Sequence, residues 1–162
     1  MTIDRKLLRW NGWGWAAHKD ELASREDIWT WLAGELGMPS LLATPARTLE
    51  EITLPDTRLT ADERAALVSI VGADNVRDDR FDRAFHALGR SYHDLLRLRA
   101  GTLSRAPDAI VYPQGPDDVL AILTFANAGG IAVIPFGGGT PRRFPGQTDD
   151  FQARLKHHER TH

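Results

Sequence analysis

The chain has 162 residues, 20 Lys and Arg against 22 Asp and Glu, no cysteine, and 42% hydrophobic side chains. Near-neutral charge gives nucleic acid or an anionic membrane no electrostatic grip, and without cysteine there is neither a disulfide framework nor a thiolate metal site. No apolar run is long enough to span a bilayer, and the N-terminus carries Asp4, Arg5 and Lys6 without the apolar core of a signal peptide, so a cytoplasmic chain of one domain, or a small lobe plus part of another, is expected.

Taken in order, the first 17 residues interleave Trp10, Trp13 and Trp15 with Asn11, Gly12 and Gly14, which predicts a surface-hugging segment that buries its indoles. Gly12, Gly14 and Ala17 match the relaxed dinucleotide fingerprint only formally, because no strand precedes them and the indoles would crowd a pyrophosphate. Ser24 to Asp27 reads as a capping box ahead of Ile28, Trp29, Trp31, Leu32 and Leu36, a core-facing helix that Gly37 and Pro39 end. Prolines and threonines over 39–59 break any period and predict an extended connector. Thr60 to Glu63 is a second capping box, for a helix through Leu67, Val68 and Ile70 to Gly72; 78–88 reads as a third helix, and Ser91 caps a fourth, Tyr92 to Arg99, closed by Gly101. Arg80, Arg83, Arg90, Arg97, Arg99 and Arg105 alternate with Asp78, Asp79, Asp82 and Asp94, as a solvated face with i to i+4 pairs would. His86 and His93 lack the carboxylate or cysteine company of metal ligands and read as packing or hydrogen-bonding side chains.

Residues 109–140 carry the densest information. Ala109 to Tyr112 and Ile131 to Ile134 are short β-branched bursts closed by Pro113 and Pro135, and both read as buried strands. Between them Pro116, Asp117 and Asp118 open a helix whose stripe is Val119, Leu120, Ile122, Leu123 and Phe125, stopped by Gly129 and Gly130. That is a βαβ unit with parallel strands expected. The second strand empties into Pro135-Phe136-Gly137-Gly138-Gly139-Thr140. Three glycines there allow positive φ and put no Cβ before an approaching ligand, so successive N–H groups can converge on a phosphate; a tight turn would use the same residues. Neither the P-loop nor the dinucleotide fingerprint fits, since no Gly-Lys-Ser/Thr follows and Arg142 stands at the third fingerprint glycine.

Ser104 to Pro113, the Asp117-Asp118-Val119 helix start and Gly130 to Thr140 together resemble the start of the FAD-binding domain of the vanillyl-alcohol oxidase and p-cresol methylhydroxylase type. Within it, Arg9-Trp10-Asn11-Gly12-Trp13-Gly14 and Gly89 to Leu96 are similar to the alkyldihydroxyacetonephosphate synthase branch. The resemblance implies an α/β (α+β) fold: a mostly helical and extended region over 1–103, the first βαβ unit of the FAD-binding domain over 104–140, incomplete, and a divergent tail over 141–162. It implies FAD as cofactor, with the pyrophosphate at Pro135, Phe136, Gly137, Gly138, Gly139 and Thr140, the Thr140 hydroxyl an added donor, and a small-molecule substrate once a C-terminal region completes the site. No catalytic residue is assigned, and a homo-oligomer is compatible with it. The family's chemistry is flavin redox at a carbon next to oxygen or, in this branch, exchange of an acyl for an alkyl chain on dihydroxyacetone phosphate. The alternative is a truncated, catalytically incompetent remnant or a weak nucleotide-binding lobe, because two strands and one helix make a marginal sheet.

After Thr140 the pattern breaks. Pro141-Arg142-Arg143-Phe144-Pro145-Gly146 replaces the serine, small apolar residues and glycines of the resembled family, and a polar tail of weak periodicity follows, as a shifted reading frame or a disordered tail would give. His158-Glu159-Arg160-Thr161-His162 matches HExxH, but the helix would end at its second ligand with no third in view, so no metal site is assigned.

Overall fold

The computed structural model describes residues 4–18, 21–41, 45–101 and 103–137, together with the backbone of Gln152–His157. Helix α1 (Glu26–Glu35) forms without the expected capping box: Ser24 Oγ donates to the Glu21 carbonyl (3.1 Å) within a preceding 3-10 turn, and Arg25 takes the N-cap position, paired with Asp27 instead. The core expected under α1 is also corrected. Only Ala33 is buried, while Trp29, Trp31 and Leu36 are exposed, because α1 precedes the connector and packs on little else.

From residue 60 onward the local signals hold. Thr60 caps α2 (Ala61–Val71) in a reciprocal box with Glu63, and Asp79 caps α3 (Arg80–Phe85), which starts two residues later and ends three residues earlier than the apolar pattern suggested. Ser91 caps α4 (Tyr92–Arg99) through the Asp94 amide. Helix α5 (Pro116–Gly129) starts on its proline and ends where Gly130 adopts φ 64°, a left-handed cap that a Cβ would strain.

The sheet needed strands that no local pattern announced. Val76–Arg77 (β1) pairs antiparallel with Ala109–Val111 (β2), and Ile131–Phe136 (β3) is the far edge of the order β1-β2-β4-β3. The strand between is β4 (Gln152–His157), contributed by the tail and antiparallel to both β2 and β3. Strands β2 and β3 therefore run parallel, as the βαβ reading required, but they are not neighbours: β4 occupies the slot between them. Pro135 is tolerated in β3 because an edge strand can spare an N–H.

One core lies under α2 and α5, where Leu67, Val71, Val76, Val111, Ile122, Ala126 and Ile131 pack together. A second, built from Ile52, Ala84, Ala87, Leu95, Leu98 and Leu103, joins α3 and α4 to the connector. The pleat sends Val111 into the first core and Ile110 to the opposite face, where α3 meets β2, so every residue of β2 is buried.

Of the arginines read as a solvated face, Arg80, Arg97, Arg99 and Arg105 are exposed, with Arg97 near Asp94, but Arg83 and Arg90 are buried, and backbone carbonyls take up Arg80, Arg83 and Arg90. Arg80 donates to the carbonyls of Leu49, Glu50 and Ile52; Arg83 to Pro107 (2.8 Å) and Pro55 (2.6 Å); Arg90 to Arg9 (3.2 Å) and Gly12. An irregular connector leaves carbonyls that no ladder satisfies, and a guanidinium can bridge several of them at once. The N-terminal segment folds back at a Leu8–Trp15 bridge with Gly14 at φ 77°. Of its indoles only Trp10 is half-buried, against the second core; Trp13 and Trp15 are exposed, because the tip of so short a turn reaches past the body it packs on.

Candidate functional site

The predicted loop begins where β3 stops. The last rung of the β3–β4 ladder is Phe136 with Gln152, so Gly137 is the first residue beyond the sheet, and it is exposed. Because β2 and β3 run parallel, their carboxyl ends share one edge of the sheet, the place where open α/β sheets receive ligands. Pro135 and Phe136 belong to the strand itself: Pro135 has no N–H to offer, and Phe136 is buried with its ring turned inward. Gly138, Gly139 and Thr140 lie outside the described residues. The same is true of the HExxH match at 158–162.

What holds Phe136 came from a part of the chain read only as helix. His86, fully buried at the end of α3, meets the Phe136 ring edge-on with centroids 4.7 Å apart, and touches Tyr112 at 6.1 Å and Phe85 at 5.1 Å. Its Nδ1 lies 2.7 Å from the Asp82 carbonyl; a carbonyl only accepts, so Nδ1 carries the proton. The reading of His86 as a packing and hydrogen-bonding residue holds, and the partner it packs is the entry to the glycine loop. His93 is exposed on α4.

Beside these rings the half-buried Tyr112 pairs with the buried Asp82. Tyr112 Oη donates to Asp82 Oδ1 (2.9 Å), with the Arg5 guanidinium over the Tyr112 ring at 4.7 Å. Burial pushes the Asp82 carboxyl above its ordinary value of 3.8, the Tyr112 hydrogen bond opposing and the nearby Asp79 charge adding to the rise. Burial, then Asp82, also push the Tyr112 phenol upward. Among the described residues no cluster of three or more His, Asp or Glu could hold a metal. No described helix is long and apolar enough to cross a membrane.

No family model matches the chain. It is 36% identical over 99 residues to alkyldihydroxyacetonephosphate synthase of Trypanosoma brucei brucei, a match that takes in 60% of this chain and 16% of the synthase. A solved alkyldihydroxyacetonephosphate synthase superposes on 93% of this chain with a TM-score of 0.71 and 27% identity, the match spanning 32% of the solved chain. Protein Rv2250A of Mycobacterium tuberculosis is 31% identical over 120 residues, which span 72% of this chain and 78% of that protein. In sequence and in structure the chain is similar to alkyldihydroxyacetonephosphate synthases. It spans about a sixth of the trypanosomal synthase and a third of the solved one.

The buried Asp82 makes a pH prediction. The folded-state pKa lies above the ordinary value, so as pH rises the unfolded chain releases this proton first. The stability tied to the group is fully present below the unfolded pKa and is lost as pH climbs through the folded one. Urea midpoints from about pH 3.5 to 7 should therefore fall for the native chain relative to Asp82→Asn, whose carboxamide still accepts from Tyr112. Parallel profiles would show that Asp82 titrates alike in both states.

Proposed function

We propose that this chain is the N-terminal part of an FAD-dependent enzyme of the alkyldihydroxyacetonephosphate synthase kind, and that it supplies the pyrophosphate-binding loop of the flavin site. The observation that carries the reading is the exposed Gly137 directly past the last rung of β3, at the carboxyl edge that β2 and β3 share, with Phe136 anchored inward behind it. The residues fit the group. A glycine at that edge leaves room for a diphosphate to approach the main chain, and backbone amides of 137–140 are donors that cost no side-chain entropy when they bind it. In this reading the Thr140 hydroxyl is one further donor.

Helix α5 is not the anion site. Asp117 and Asp118 fill its first turn, and Asp118 Oδ2 accepts from the Gln114 amide (2.8 Å), so the dipole there is already compensated by carboxylates. The phosphate would have to sit on the glycine side of the edge. When bound, the flavin supplies the redox chemistry, while this chain's residues orient its diphosphate; the substrate pocket and the reacting groups come from the larger part of the fold that the full-length relatives possess. The substrate in this reading is a dihydroxyacetone phosphate ester, by the name of the family.

Titration of the purified 162-residue protein with FAD, followed by flavin fluorescence and calorimetry, tests the proposal. Saturation below about millimolar concentration, worth roughly 4 kcal/mol, is expected, and Gly138→Val should abolish it by placing a branched side chain in the path of the phosphates. No saturation, or binding that Gly138→Val leaves intact, would leave the alternative reading of a catalytically incompetent remnant.

A further inference from the structure

A cleft lies on the helical side of the chain, between the N-terminal fold-back and α3 and α4. Its volume is about 480 Å³, within the usual range of small-molecule sites, and Lys6, Arg9, Trp10, Phe81 and Arg99 line it. Three of these are cations, and no Asp or Glu lines the cleft with them. The nearest carboxylate in sequence, Asp4, is spent capping the Arg5–Leu7 turn through the Lys6 amide (3.0 Å). Arg9 holds the His18 carbonyl with one nitrogen, and among the described residues neither Lys6 nor Arg99 makes a side-chain hydrogen bond or ion pair. Protein surfaces of near-zero net charge normally interleave the two signs, so an all-positive concavity concentrates potential rather than cancelling it.

A fourth cation stands behind the wall. Arg90 is buried beneath the fold-back, bonded to the Arg9 and Gly12 carbonyls, with Phe85 under its guanidinium at 4.0 Å. Among the described residues no carboxylate pairs with it, and its Nη2 is buried without a hydrogen-bond partner. A buried, unbalanced guanidinium costs free energy that a nearby anion would reduce. Two half-buried aromatic side chains, Trp10 and Phe81, are part of the lining, and Phe81 stacks on Phe85 at 5.6 Å, so a flat apolar body has two rings to lie against.

We propose that this cleft is a binding site for a phosphorylated small molecule with a planar apolar body, the phosphate held by Lys6, Arg9 and Arg99 and the body by Trp10 and Phe81. The site is separate from the glycine loop and does not depend on the flavin reading. The 162-residue protein is titrated by calorimetry with phenyl phosphate, with inorganic phosphate and with phenol. Phenyl phosphate should bind more tightly than either half alone, and Lys6→Gln and Arg99→Gln should each weaken it about fivefold, the effect of removing one partly exposed charge. Both side chains are exposed, so unchanged urea midpoints serve as the folding control. Phe81→Leu should reduce phenyl phosphate binding towards that of inorganic phosphate. Affinities unchanged in Lys6→Gln and Arg99→Gln overturn the proposal. So does loss of phenyl phosphate binding in Gly138→Val alone, which would place the phosphate at the glycine loop, and so does an absence of saturation.

Discussion

His86→Ala should lower the unfolding free energy by about 3 kcal/mol, in the range of large-to-small changes at fully buried positions. The imidazole fills the space between α3, Tyr112 and Phe136, and its deletion leaves a void lined by three rings. The hydrogen bond contributes less than the packing. The Asp82 carbonyl that accepts from Nδ1 also accepts from the His86 amide (3.1 Å), so it keeps a partner when the ring is gone. His86→Phe, which keeps a ring against Phe136, should for that reason cost only about 1 kcal/mol. Urea unfolding followed by far-ultraviolet dichroism separates the two, and equal losses would show that the hydrogen bond, not the ring, carries the site. The same pair bears on the loop: if Phe136 steadies Gly137, His86→Ala should weaken FAD binding in the titration above while His86→Phe leaves it nearly intact.

Arg83→Lys is expected to destabilise the chain by about 2 kcal/mol and Arg83→Met by about 3 kcal/mol, from buried acceptors left unpaired. The Arg83 fork is 8% exposed and spans two carbonyls, Pro55 in the connector and Pro107 at the entry to β2. A lysine ammonium is a single point and cannot reach both, while methionine keeps the stem and satisfies neither. Burial draws the Arg83 pKa down while the charges of Asp108, Asp56 and Asp78 draw it up, so the charge is solvated by carbonyl dipoles and distant carboxylates rather than by a close ion pair. Amide exchange should localise the damage: protection in β2 should fall in both variants. A lysine variant within about 0.5 kcal/mol of the native chain would mean that one of the two carbonyl bonds is expendable.

These two sites divide what was readable from what was not. The strand-helix-strand order of β2, α5 and β3, and the glycines after β3, were readable because each signal sits within one turn or one strand of the residue it governs. Pro116 opens α5, Gly130 closes it, and Thr60 and Ser91 cap their helices through amides three residues on. The capping box at Ser24 fails for the same local reason working against it: a 3-10 turn three residues earlier claims the hydroxyl first. The resemblance to a flavoprotein family rested on such stretches, and similarity to the synthases bears out the family.

The sequence by itself therefore determined which segments are helices, where the two short apolar strands flanking α5 lie and which family the chain resembles. Only the tertiary structure decided which strands are neighbours, which arginines are buried and what stands behind the glycine loop. Strand β4 reaches its slot between β2 and β3 from the tail, Arg83 finds its carbonyls 24 and 28 residues away, and Arg90 finds Gly12 across 78. The physical reason is separation: a cap or a hydrophobic period is set by neighbours along the chain, whereas a guanidinium among carbonyls or a ring against Phe136 has no period, and its partner exists only once the intervening loops have closed.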